Sequence, residues 1–132
     1  MNVPTVGEVM TRGTIAVRDD VPIAEAAQLL DKHHISGLPV VDRDGELVGV
    51  LSQTDLLRAR VIDHLWSVLP GLAVRHLMTA PAVVATEETT IDEAAVLMEQ
   101  NHIHRLVVVG PDRRTPVGIL SVSDLIHQMA SR

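Results

Sequence analysis

The stretch "GVLSQTDLL", Gly49 to Leu57, returns near the other end of the chain as "GILSVSDLI", Gly118 to Ile126. Both read Gly-x-x-Ser-x-x-Asp among aliphatic residues, and the recurrence extends outward. Setting Val9-Met10-Thr11 on Leu77-Met78-Thr79 carries Ile23-Ala24-Glu25-Ala26-Ala27 onto Ile91-Asp92-Glu93-Ala94-Ala95. It also carries His34-Ile35 onto His102-Ile103, and Leu38, Val40 and Val41 onto Leu106, Val108 and Val109. One extra residue then enters the second copy's turn. After it, Gly49, Leu51, Ser52, Asp55 and Leu56 fall on Gly118, Leu120, Ser121, Asp124 and Leu125. An ordered series with a single insertion is an internal duplication. The repeats run over 6–60 and 74–129, with a connector at 61–73.

Each repeat has the same local grammar. A short extended piece comes first, Thr14 to Val17 and Ala82 to Ala85. A helix follows, with Pro22 at its first position in one copy. In the other copy, Thr90-Ile91-Asp92-Glu93 is a capping-box pattern. Ile23, Ala26, Ala27 and Leu30, and then Ile91, Ala94, Ala95 and Met98, recur at helical spacing. "LPVV" leads through Asp42-Arg43-Asp44-Gly45 to "ELVGVLS", and "RLVVV" through Gly110-Pro111-Asp112 to "PVGILS"; both are hairpin signals. A last helix starts near Thr54 or Ser123. The order is β-α-β-β-α twice, a mixed α/β arrangement of the α+β class. One such repeat buries little by itself. The two are expected to pack face to face about a pseudo-twofold axis as one domain. The segment His64 to Val74, broken at Pro70-Gly71 and apolar around Trp66, reads as a packed connector.

Composition narrows the function. The 132 residues are 46% hydrophobic, yet include one Trp and no Phe or Tyr, so the core is aliphatic. The absence of Cys excludes disulfides, thiolate metal sites and a Cys nucleophile. The formal net charge of −6 and the lack of stacking aromatics argue against nucleic-acid binding. The first ten residues have neither a basic nor an apolar signal region, and no apolar run is long enough for a bilayer. A cytoplasmic location is expected.

The twin motif admits two readings. Ser and Asp three apart straddle a strand-to-helix turn, where unpaired N–H groups and the dipole favour an anion. A carboxylate accepts from a vicinal diol, and a hydroxyl serves a phosphate or sugar oxygen. Ile15, Val50, Val83 and Ile119 flank the motifs and offer an apolar sandwich for adenine. The plainer reading makes Ser52 or Thr54, and Ser121 or Ser123, helix N-caps. Asp55 and Asp124 are then first-turn acids that complement the dipole.

The ordered set resembles a tandem pair of CBS domains, the module named after cystathionine β-synthase. It is carried by "VMT" and "LMT", the "EAA" helix, "HISGLPVVD" and "HIHRLVVV", and the twin Gly-x-x-Ser-x-x-Asp segments. The resemblance covers nearly the whole chain. It implies that Ser52 with Asp55, and Ser121 with Asp124, contact the ribose and phosphate of an adenosine-containing ligand. His104-Arg105 resembles the "HRLPV"-type segment of the γ subunit of AMP-activated protein kinase, which implies a phosphate contact. Copy one departs there, with Ser36-Gly37, so copy two is the stronger expected site.

Other chemistry is weaker. His33-His34 and His102-Ile103-His104 invite a metal, but no Cys or well-spaced carboxylate completes a shell. No dedicated metal site is expected, although histidines titrate near neutrality. Neither a Gly-x-Ser-x-Gly elbow nor a phosphate-binding Gly-x-x-x-x-Gly-Lys-Ser/Thr loop is present, and Lys32 is the single lysine. The chain reads as a non-catalytic, energy-sensing regulatory module for AMP, ADP, ATP or S-adenosylmethionine. The ligand is expected in clefts between the repeats, with no required cofactor, a homodimeric state and an unidentified regulated partner. The rivals are a ligand-free interaction module and a metal- or pH-responsive sensor.

Overall fold

The duplication is visible in the elements. The structure is a computed structural model and describes residues 3–13, 15–61 and 71–131. A leader, α1 (Val6–Val9) and β1 (Thr11–Arg12), precedes β2 (Val17–Arg18), α2 (Ile23–His33), β3 (Gly37–Val41), β4 (Leu47–Ser52) and α3 (Gln53–Val61). A second leader contains α4 (Val74–Leu77). It precedes β5 (Val84–Thr86), α5 (Ile91–Gln100), β6 (Arg105–Val109), β7 (Pro116–Ser121) and α6 (Val122–Ala130). The fold is mixed α+β with two sheets. Among the described residues no helix is long and apolar enough to cross a membrane.

The compact units do not follow the repeat boundaries. One unit is the continuous segment Ile15–Ala82; the other joins Met1–Thr14 to Val83–Arg132. Each therefore contains one repeat's sheet and helices and the leader of the other repeat.

In the unit Ile15–Ala82 the sheet order is β2-β3-β4. Strand β2 runs parallel to β3 through the α2 crossover, and β3 pairs with β4 as an antiparallel hairpin. The hairpin turn is held by Asp42, whose Oδ1 accepts from the N–H groups of Asp44 and Glu46. Gly45 supplies the positive φ of 82° that the turn requires. Leu38, Val40 and Leu51 meet Ile23, Ala26 and Leu30 of α2, and Val74 of the second leader completes that core. Burying each of these larger side chains contributes about 1.5–3 kcal/mol. The same leader adds Thr79, which exchanges two 2.9 Å backbone hydrogen bonds with Val50.

In the other unit the sheet order is β1-β7-β6-β5. Here the first leader supplies the edge: Thr11 pairs with Ile119 and Arg12 with Gly118. Val6 and Met10 of that leader lie in the core with Leu106, Val108, Leu120, Ala94 and Met98. The α5 capping box is formed: the Thr90 hydroxyl oxygen accepts from Glu93 N–H, and Glu93 accepts from Thr90 N–H at 3.0 Å.

Several boundaries differ from expectation by a residue or two. The first extended pieces are shorter and later, starting at Val17 and Val84. Pro22 is the cap before α2 rather than its first residue. Its carbonyl accepts from Glu25 and Ala26, so the missing N–H of proline falls outside the helix. The last helices start at Gln53 and Val122 because Ser52 and Ser121 cap them. Thr14 and residues 62–70, with Trp66 and most of the expected packed connector, lie outside the described residues.

Candidate functional site

The hairpins orient the motif side chains. Successive strand residues face opposite ways, and residues directly opposite across an antiparallel pair share a face. In the unit Ile15–Ala82, Ser52 lies opposite Gly37, and Val50 lies between Pro39 and Thr79. This face is the reverse of the one bearing Leu38 and Leu51, which packs on α2. In the other unit, Ser121 lies opposite Arg105, and Ile119 between Val107 and Thr11. The reverse face carries Leu106 and Leu120 into the core.

The motif glycines are set by the leaders. A Cβ on Gly49 would stand 2.8 Å from the Thr79 carbonyl oxygen and 2.9 Å from the Met78 sulfur. On Gly118 it would stand 2.7 Å from the Thr11 carbonyl oxygen. The "VMT" and "LMT" segments therefore cross the motif strands at a distance only glycine allows.

At both strand-to-helix turns the Ser and Asp form a reciprocal cap. Ser52 N–H donates to Asp55 Oδ2 at 2.8 Å, and Asp55 N–H donates to the Ser52 hydroxyl oxygen at 3.3 Å. Ser121 and Asp124 repeat this at 2.8 and 3.2 Å. The next amides are also used: Gln53 N–H donates to the Ser36 carbonyl and Val122 N–H to that of His104. Much of the helix-end donor capacity is thus satisfied internally in both copies.

The copies differ at the second carboxylate oxygen. Asp55 is 4% exposed; its Oδ1 accepts from the Thr79 hydroxyl at 3.1 Å and lies 3.6 Å from the Arg58 guanidinium. The Ser52 hydroxyl also donates to Oδ2. Asp124 is half-buried, and no donor among the described residues reaches its Oδ1. Thr11, the counterpart of Thr79, pairs with Ile119 along the strand, and its hydroxyl donates to no described residue.

The structure sorts the remaining candidates. Arg105, with its fixed positive charge, stands across from Ser121, where copy one has Gly37. His104 is separated from Arg105: it lines a groove on the helix side with His102, Glu99, Val122 and Leu125. Val50 and Ile119 are on the motif face, whereas Ile15 and Val83 pack partly against the core clusters. Thr79 is the residue that motif spacing did not single out. Its signal was present in the repeated "Met-Thr" ahead of each extended piece. Among the described residues no group of three His, Asp or Glu side chains is placed to hold a metal.

Comparisons with known proteins agree with this architecture. The pattern described as "CBS domain" matches residues 6–62 and 74–131. Protein MJ1426 of Methanocaldococcus jannaschii is 31% identical over 87% of this chain and 85% of its own length. The inosine-5'-monophosphate dehydrogenase of the same organism is 32% identical over 92% of this chain, which spans only 23% of that enzyme. The crystal structure of the CBS domain pair of protein MJ0100, in complex with 5'-methylthioadenosine and S-adenosyl-L-methionine, superposes with a TM-score of 0.88. Identity is 28%, and 98% of each chain is covered. The structure of CBSX2, a CBS-pair protein from Arabidopsis thaliana, in complex with AMP gives 0.82 at 32% identity over 97% of both chains.

Proposed function

We propose, from the premise that the chain belongs to the CBS domain family, that it is a non-catalytic regulatory module that binds an adenosine-containing ligand. Binding is passed to a partner protein through a homodimer built on the exposed apolar residues of α3 and α6. The observation that carries this reading is Asp124 Oδ1, which no donor among the described residues reaches, beside Ser121 on a sheet face shared with Ile119 and Arg105. A ribose diol offers two O–H donors to that oxygen. Arg105 offers a bidentate cation to a phosphate or to a carboxylate of the ligand. Ile119 and Val83 supply apolar surface for adenine.

Two relatives support the ligand class, because MJ0100 was solved with two adenosine derivatives and CBSX2 with AMP. We assign the stronger site to Ser121, Asp124 and Arg105. Ser52, Asp55, Val50 and Ile15 form the weaker one, since both Asp55 oxygens already have donors and Gly37 brings no cation. His104 takes no part in the phosphate contact in this reading, because it lines the helix-side groove.

Titration calorimetry against AMP, ATP, adenosine and S-adenosylmethionine tests the proposal, with melting as a second readout. A ligand at 100 times its dissociation constant adds about 2.7 kcal/mol of stability. Asp124→Ala is expected to remove most of the binding while costing the fold only a cap, about 1 kcal/mol. Arg105→Ala should weaken AMP and ATP more than adenosine. No heat and no melting shift with any of these compounds, for protein shown by mass spectrometry to carry no small molecule, overturns the reading.

A further inference from the structure

The two motif carboxylates differ in what already holds them. Beyond the Ser52 N–H of the cap, three side chains of the unit Ile15–Ala82 converge on Asp55. The Thr79 hydroxyl donates to Oδ1 at 3.1 Å, the Ser52 hydroxyl donates to Oδ2 at 3.0 Å, and the Arg58 guanidinium lies 3.6 Å from Oδ1. Asp55 is the buried charged residue among the described residues, and its neighbours satisfy it, as a buried carboxylate requires. Thr79 is delivered by its backbone. It exchanges hydrogen bonds with Val50, and Gly49 lets the leader come close enough to make them. A threonine has one stiff torsion, so its hydroxyl is held at Asp55 with little entropy to lose.

Asp124 keeps only the cap. Ser121 N–H donates to its Oδ2, but no hydroxyl or guanidinium among the described residues reaches the carboxylate. The Ser121 hydroxyl donates to no described acceptor, unlike that of Ser52. Thr11 and His127 stand in the sequence where the first copy has Thr79 and Arg58. A ribose diol arriving at Asp55 must replace bonds that exist, and the displaced Thr79 hydroxyl loses its acceptor. The same diol at Asp124 adds bonds to an oxygen that no described donor reaches.

We infer that Thr79 determines the occupancy of the first copy. Its hydroxyl, with Arg58 beside it, closes Asp55 to a ribose, so each chain takes up one adenosine-containing ligand, at Ser121 and Asp124. The inference rests on the ligand reading proposed above and adds the residue that regulates its stoichiometry.

Titration calorimetry with AMP counts ligands per chain. The native protein should take one equivalent. Thr79→Val keeps the shape and removes the hydroxyl. It should take a second equivalent, with first-copy affinity raised about tenfold or more, the worth of one hydrogen bond to a charged group. Thr79→Ser restores the hydroxyl and should return the count to one, and adding Asp55→Asn to Thr79→Val should do the same. Thr79→Ala, which removes the same hydroxyl, replaces the valine variant if that one does not melt cooperatively. Two equivalents in the native protein, or one in the native protein and in both hydroxyl-free variants, overturn the inference while the ligand reading stands. A second equivalent that persists in Thr79→Ser or survives Asp55→Asn also overturns it. No binding to the native protein overturns the ligand reading. The closure of Asp55 then stands if Thr79→Val binds AMP and falls if it does not.

Discussion

Gly49 and Gly118 have almost no freedom to change, because a leader backbone crosses each of them within contact of the missing side chain. Gly118→Ala must push Thr11 off β7 or distort the strand, at a cost of about 1–3 kcal/mol. Gly49→Ala should cost the same at Thr79. Gly71→Ala, with nothing among the described residues near its Cβ position, should stay within about 0.5 kcal/mol in the same urea melts. Thr79 gives a second contrast. Its hydroxyl donates to a buried carboxylate, and losing such a bond costs about 1–3 kcal/mol. Thr79→Val should therefore destabilise by that amount, while Thr11→Val, which removes no hydrogen bond to Asp124, should be nearly neutral by denaturant titration. The Ser-x-x-Asp caps were legible from spacing alone, because a cap is a local geometry. Thr79 was not, because its partner Asp55 is distant in the chain.

Helix ends and turns fix the elements, and two of them carry measurable signatures. Both α2 and α5 are followed by a histidine in the left-handed region, His34 and His102, each with φ of 52°. That conformation costs an L residue about 1 kcal/mol, which glycine avoids at some expense of unfolded-chain entropy. His34→Gly and His102→Gly should each stabilise by about 0.5 kcal/mol in urea melts, within the balance of those two terms. The second hairpin is closed by Asp112, whose Oδ2 accepts from the Thr115 hydroxyl while Oδ1 accepts from the N–H groups of Arg114 and Thr115. These bonds, the Thr115 hydroxyl first, lower its carboxyl from 3.8 to about 2. The folded value lies below the ordinary one. The contribution of the turn is therefore complete above pH of about 4 and is lost as pH falls toward 2. An NMR titration should follow Asp112 through this window, and Thr115→Val should move its midpoint upward. The strands and helices themselves were readable because periodicity and hairpin residues act within a few positions. The start of α2 is expected one residue early, at Pro22, since a proline just before a helix and one at its first position differ only in the local ψ.

At the scale of the whole molecule, the sequence repeat and the folded unit are different partitions. Duplication is legible because it is a property of order along the chain. The exchange of leaders is not, because "VMT" and "LMT" look alike and nothing local says which sheet each will join. The consequence is an asymmetry of connection. The unit Ile15–Ala82 is continuous, with its leader at its own C-terminal end, whereas the other unit must recover residues from the start of the chain. Its core includes Val6, fully buried, and Met10, and its sheet loses an edge strand without Thr11–Arg12. Residues 3–13 also give N–H bonds from Val6 and Gly7 to the carbonyls of Thr89 and Glu87, and an ion pair from Arg12 to Glu87. Removing residues 1–13 should therefore cost about 3–6 kcal/mol from the two apolar side chains alone. Hydrogen exchange should register that loss unevenly. Amides of Leu106 to Val109 should lose protection by orders of magnitude, while those of Leu38 to Val41, whose core contains Val74 rather than Val6, should change far less. Equal loss in β3 and β6 would mean that the two cores unfold as one cooperative body, and that the leader stabilises the whole chain rather than the sheet it joins.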